Sequence, residues 1–165
     1  MKQETHSNTA LFLMELIMVI GFFSLVSTVC MQLFSAASRT STQSVRLNHA
    51  VRASESLTEA WIAVDGDLTR LKELYPGCTL RSDDPADPRT GTLVICYDED
   101  WHRITEAADT AAYTVTIESS MSDAAELYGP ETAGAEAIRA SVTAMASDGT
   151  SICSFTPDHY LGGAQ

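Results

Sequence analysis

Three successive patterns of apolar and polar residues divide this chain. From Ala10 to Phe34, 19 of 25 residues are hydrophobic and the only formal charge is Glu15. As an α-helix rising about 1.5 Å per residue, this run is about 37 Å long, enough to cross a hydrocarbon layer of about 30 Å. A cleaved secretory signal has an apolar run of only about 7–15 residues, so the pattern predicts a membrane-spanning helix. Next, Ser35 to Ala63 contains neither Pro nor Gly, and Leu47, Val51, Leu57, Trp61 and Val64 recur near helical spacing. The helix is therefore expected to continue to Val64, about 80 Å from Leu11, with one buried stripe. Arg39, Gln43, Arg46, Arg52, Glu55 and Glu59 occupy the other side, with Arg52 and Glu55 spaced to pair at i,i+3.

The third pattern begins at Asp65-Gly66-Asp67, a break in which Asp65 or Asp67 can cap a short helix through Leu68, Leu71 and Tyr75. Pro76-Gly77 ends that helix, and the period then changes from helical to alternating. Gly91–Tyr97 reads as a strand with Leu93, Ile95 and Tyr97 on one face and Val94 and Cys96 on the other. Ala112–Glu118 sets Tyr113, Val115 and Ile117 against Thr114, Thr116 and Glu118. Ala137–Ala146 and Ser151–Phe155 flank Asp148-Gly149, a hairpin signal. Four strands against one amphipathic helix predict an α+β fold, a long N-terminal helix packed on a small antiparallel sheet.

Charge narrows the function classes. The 165 residues hold 10 Lys and Arg against 22 Asp and Glu, a formal net charge of −12. From Asp65 onward there are 18 acids and 6 bases, a surface suited to solubility and mutual repulsion rather than to nucleic acid. Length excludes a large multidomain enzyme. Asp98-Glu99-Asp100-Trp101-His102 and Asp83, Asp84 and Asp87 could offer oxygen ligands, but neither group has calcium-loop spacing and solvated loops are expected. His49, His102 and His159 bear no sequence relation to a nucleophile, and no phosphate-binding, dinucleotide or nucleophile-elbow motif is present. No enzymatic activity, metal or cofactor is expected.

Glu15 is the informative residue. A carboxylate near the bilayer centre costs about 2.5–3.5 kcal/mol on insertion scales, which makes an intramembrane acid a functional suspect. Five residues past Ala10, it could instead snorkel at the cytoplasmic interface. The short polar leader ending in Ala10, followed by Leu11-Phe12-Leu13-Met14-Glu15 and a long apolar helix, resembles the N-terminus of type IV pilins and of the pseudopilins of secretion and DNA-uptake machines. That resemblance covers about 30 residues, with Ala10 and Leu11 where the family usually has Gly and Phe, and Gln32 where many members have a helix-bending Pro. It implies cleavage between Ala10 and Leu11 by a prepilin peptidase, N-methylation of Leu11, and assembly with like subunits in which Glu15 pairs with a neighbour's terminal ammonium. A new α-amino group has an unperturbed pKa of about 7.7–8.0, so it would be cationic at neutral pH, and each charge would offset the other's desolvation.

The resemblance implies a leader at 1–10, an assembly helix at 11–34, an extramembrane helical part at 35–75 and a β region at 76–165. It places the span in the cytoplasmic membrane with the C-terminal domain outside, reaching the surface in a filament. The charge bias alone, Lys2 before the span against Arg39, Arg46 and Arg52 after it, favours the opposite orientation. Two other fates remain open, a monomeric anchored binding domain and a secreted protein cut after Ala37 at Ser35-Ala36-Ala37. In the oxidising exterior that the pilin reading implies, one disulfide is expected among Cys78, Cys96 and Cys153. Cys78–Cys96 is favoured, leaving Cys153 buried or unpaired, and Cys96–Cys153 is the alternative. Cys30 fills apolar space in the span.

Overall fold

The computed structural model describes residues 4–82, 86–105 and 110–163. The chain divides into two units, one up to Val45 and the other from Arg46 onward. In the first unit, helix α1 (Glu4–Ala63) runs without interruption through the apolar stretch. Every side chain from Ala10 to Val45 is exposed, including Phe22 at 71% and Phe34 at 75%. The segment is long and apolar enough to cross a membrane, and a helix apolar all round satisfies its surface only in lipid or among other helices. Hydroxyls inside it are satisfied locally: Ser24 Oγ donates to the Ile20 carbonyl at 2.8 Å and Thr28 Oγ1 to the Ser24 carbonyl at 2.9 Å. The helix stays intact through these bonds and through Gln32.

In the second unit, the last turns of α1 pack on an antiparallel sheet, giving the expected α+β fold. The buried face of α1 is not quite the expected stripe. Leu57 and Trp61 are fully buried, but Ala50 and Ser54 share that face, while Leu47 remains 43% exposed and Val51 is half-buried. These four stand at i, i+4, i+7 and i+11, and the small Ala50 and Ser54 let the helix lie close to the sheet, a choice a hydrophobic count cannot see. Trp61 Nε1 donates to Ser119 Oγ of the sheet at 3.2 Å, so its one polar atom is satisfied in the core. The Arg52–Glu55 pair is not formed, and both side chains face solvent.

After α1 the chain turns through Asp65 (φ 51°) and Gly66 (φ 76°). A Cβ on Gly66 would meet Ile138 Cδ1, so this turn requires glycine for space as well as for its positive φ. Asp67 caps α2 (Leu68–Leu74), its Oδ1 accepting from the Thr69 and Arg70 amides at 2.9 and 3.1 Å. Among the described residues seven strands follow: β1 (Thr79–Ser82), β2 (Gly91–Tyr97), β3 (Arg103–Ile104), β4 (Tyr113–Asp123), β5 (Ala135–Ala146), β6 (Ser151–Phe155) and β7 (Asp158–Gly163). A short helix α3 (Ala124–Tyr128) and a 3-10 turn at Pro130–Thr132 lie between β4 and β5.

The four expected strands are β2, β4, β5 and β6, which form the centre of the sheet with β1 on the far side of β2. The strands that pattern reading passes over are short pieces on the two edges. β1 pairs with the first half of β2 and β3 with its end, while β6 and β7 lie along the two halves of β5. Between β6 and β7 stands Pro157, which cannot donate to a ladder, although its carbonyl accepts from Ala140 N at 2.9 Å. Register aligns the core in rows. Leu80, Leu93, Ile117, Val142 and Phe155 form one, and Ile95, Val115, Ala144 and Cys153 form the next. These rows and α1 enclose one hydrophobic core.

Two outcomes follow from this packing. Leu57→Ala should destabilise the domain by about 2–5 kcal/mol, whereas Leu47→Ala, on the same sequence stripe but exposed, should stay within about 0.5 kcal/mol. Urea midpoints of the detergent-solubilised chain, read by tryptophan fluorescence, measure both. Across β5 and β7, Arg139 grips Asp158 at 2.6 and 3.0 Å, and those hydrogen bonds hold the Asp158 carboxyl below its usual range. A depressed folded-state value means stability that is present above the unfolded value of about 4 and lost as pH falls through the lower folded one. Asp158→Asn should therefore flatten the acid limb of the stability curve below about pH 4 and leave its neutral slope unchanged.

Candidate functional site

Two features of the chain carry candidate function, one in each unit. In the first, Ala10 and Leu11 lie within α1 with Leu11 64% exposed, so the expected cleavage bond is inside a helical segment. Glu15 follows one turn later, exposed, and makes no ion pair within the described chain. The surrounding side chains Leu11, Phe12, Met14, Ile17 and Met18 are all more than half exposed. One carboxylate thus stands on an otherwise apolar cylinder with no neutralising partner among the described residues. Transfer to a dry environment would require a cation from elsewhere or protonation.

The second feature is a groove of about 860 Å³ in the second unit, beside the end of β2. It grows from the turn between β2 and β3. Asp98 Oδ1 accepts from the Asp100 and His102 amides at 2.9 and 2.8 Å, and the Asp98 amide donates to the His102 carbonyl. The Asp98 carboxylate is thereby spent on shaping a turn, not on an ion, and among the described residues no three His, Cys, Asp or Glu side chains could hold a metal. Asp83 and Asp84 of the other acidic stretch lie outside the described residues, and Asp87 caps its own loop through the Arg89 amide and Thr90 hydroxyl.

The turn drives Trp101 into a left-handed conformation (φ 62°) that a bulky side chain seldom takes. Its ring stacks on Tyr113 at 4.3 Å and 11°, lies near parallel to His49 at 6.0 Å, and touches Tyr97 at 5.6 Å. Aromatic burial therefore holds the strained backbone in place. Arg103 sits over the Tyr75 ring at 5.3 Å, and the Tyr75 hydroxyl donates to the Ser56 carbonyl of α1 at 3.2 Å. Burial, with Tyr75 adding to it and Arg103 opposing it, pushes the Tyr97 phenol up to about 12. It is a neutral donor at any physiological pH. None of these groove residues except His49 and His102 stands out in the sequence as candidate chemistry. A tryptophan inside an acidic turn, followed by His-Arg, is the one local signal.

The histidines do not converge. His49 and His102 border the groove, whereas His159 Nε2 stands 3.2 Å from Asp65 Oδ1, edge-on to Trp61. The expected Cys78–Cys96 disulfide is absent, and all four cysteines are free. Strand parity explains this. Cys96 alternates with Leu93, Ile95 and Tyr97 onto the sheet face away from α1, whereas Cys78 and Cys153 pack with the core. Cys153 Sγ even lies 3.8 Å from Ser54 Oγ of α1. Neither Cys78–Cys96 nor Cys96–Cys153 can close through the plane of the sheet. Burial raises the Cys78 thiol, with nearby Lys72 partly opposing it, and burial alone raises Cys96, so both are poor nucleophiles at neutral pH.

No family model matches the chain, and no curated protein or solved structure is significantly similar to it. The thiol assignment has a direct check. Alkylation with N-ethylmaleimide in denaturant, without reductant, should add four adducts to the intact mass. In native buffer Cys96 should react last, and two adducts in denaturant would reinstate a disulfide.

Proposed function

We propose that this chain is a structural subunit of a type IV pilin-like filament, whether pilus, secretion pseudopilus or DNA-uptake apparatus. The observation that carries this reading is the lone Glu15 on an apolar helix whose side chains from Ala10 to Val45 are exposed, continuous with the helix that anchors a small α+β domain. A plain membrane anchor needs the apolar run but not the acid. A filament built by packing such helices uses both. Close packing among like helices replaces contacts with lipid, since the hydrophobic effect favours neither environment. Glu15 then sets the axial step, because a misplaced subunit would leave both it and the terminal ammonium unpaired in a dry core.

In this reading a prepilin peptidase cuts between Ala10 and Leu11, and Leu11 becomes the methylated terminus. The bond lies about two turns into α1, so the helix has to open there for the peptidase to cut. The span sits in the cytoplasmic membrane with the acidic domain outside. The partners are like or related subunits, the peptidase and the membrane, with no nucleic acid bound directly.

Intact mass and N-terminal analysis of membrane-extracted protein should give a chain beginning at Leu11 and carrying one added methyl group. A Met1 terminus would instead identify a monomeric anchored domain, and a Ser38 terminus a secreted one. Glu15→Ala should insert into the membrane as before but leave no sheared filaments. Normal filament yield from that variant would remove Glu15 from the assembly step.

A further inference from the structure

We propose that Arg39 binds the phosphate of an anionic phospholipid in the leaflet into which the apolar span emerges. Glu15 and Arg39 are the formal charges that bracket the apolar run, and the 23 residues between them, Leu16 to Ser38, carry none. On the uninterrupted helix α1 the two positions stand about 36 Å apart. The hydrocarbon layer of a bilayer is about 30 Å thick, and the whole bilayer about 40–45 Å with its headgroups. With the run centred, both charges therefore fall just outside the hydrocarbon, one in each headgroup layer. A shift of more than about 3 Å along the helix would draw one of them into hydrocarbon, where a charge is costly. The spacing of the two charges thus sets Arg39 at phosphate depth.

The local surface fits the same ligand. Side chains on an α-helix lean toward its N-terminus, so Arg39 reaches back toward the span. It is exposed and lines a shallow cleft of about 590 Å³ on one side of α1, with Gln32, Ser35 and Ala36 beside it and Thr28 and Met31 nearer the span. The Thr28 hydroxyl is held by the Ser24 carbonyl, so the end of the cleft at acyl-chain depth offers little but apolar surface. A guanidinium fork takes a phosphate through two parallel N–H bonds. Charge then favours an anionic lipid over a zwitterionic one. From Ser35 to Ser54 there are three arginines and no acid, in a chain that holds 22 acids, and a cation close to an anionic leaflet is drawn to it. The contact rests on the membrane span of the reading above, but on neither its orientation, leader cleavage nor assembly.

The test uses the full chain in neutral detergent with equal amounts of phosphatidylglycerol and phosphatidylcholine, bound lipid being counted by native mass spectrometry. The unsubstituted chain should retain phosphatidylglycerol over phosphatidylcholine by about fivefold, the effect of one cation at an anionic surface. Arg39→Gln should bring that ratio near one. Arg81→Gln, at an exposed position on β1, should leave it unchanged. An even ratio in the unsubstituted chain, a preference that survives Arg39→Gln, or an equal loss in Arg81→Gln would overturn the site. Carbonate extraction of native membranes keeps the readings apart. Chain that stays in the pellet but shows no lipid preference sinks the lipid site alone, whereas chain released to the supernatant sinks the span and the lipid site together. A lipid preference in a chain that keeps its leader and yields no filaments would sink the filament reading alone.

Discussion

The chain carries more apolar surface than it can bury by itself, and the rest of its organisation follows from that. Between Ala10 and Val45 every side chain is exposed. At about 25 cal/mol per Å² of apolar surface, keeping such a segment in water is prohibitive. Lipid or other helices must complete the structure. Within that environment the polar atoms become the exceptions that need explaining. The hydroxyls of Ser24 and Thr28 bond back to their own helix, and Glu15 is the one formal charge of the run, with no ion pair among the described residues.

One helix serves two environments because its composition changes along its length while its backbone does not. In the apolar half, bulky side chains point in all directions. From Ala50 onward one face narrows to Ala50, Ser54, Leu57 and Trp61, and these enter the core of the domain. Leu57 and Trp61 fill the space between the helix and the rows of the sheet, while the small Ala50 and Ser54 one and two turns earlier keep the backbone close. The Trp61–Ser119 hydrogen bond allows the largest core side chain to be buried without leaving a donor unsatisfied.

The acidic residues of the domain look alike in the sequence and do different work in the fold. Asp67 and Asp123 cap helices, Asp98 shapes the turn that strains Trp101, and Asp158 clips β7 to Arg139 on β5. Others, among them Glu73, Glu99, Glu118, Glu126 and Glu136, stay exposed and are spread over the domain. Of the cations, Arg70 and Arg139 pair with carboxylates, and Arg103 lies over the Tyr75 ring.

Whatever depends on near neighbours along the chain was legible in the residues alone. Uninterrupted apolar residues marked the long helix, alternation placed β2 and the centres of β4, β5 and β6, and Asp67 and Asp148-Gly149 announced a cap and a hairpin. These are local because helix and strand periods and turn geometry involve only a few consecutive residues. Tertiary structure decided the rest. The edge strands β1 and β3 are too short to show a period, β7 ends in Gly162-Gly163 and shows none, and all three pair along a longer strand that offers them a ladder. Ala50 and Ser54 belong to the core because the sheet lies close there, which hydrophobicity cannot report. Cys78 and Cys96 were a reasonable pair by separation alone. A disulfide needs both sulfurs on the same side of the sheet, and pleat parity put them on opposite sides. The groove was the least legible feature, since Arg52, Tyr97 and Arg103 come from a helix and two strands and meet only when the register of β2 brings them to one end.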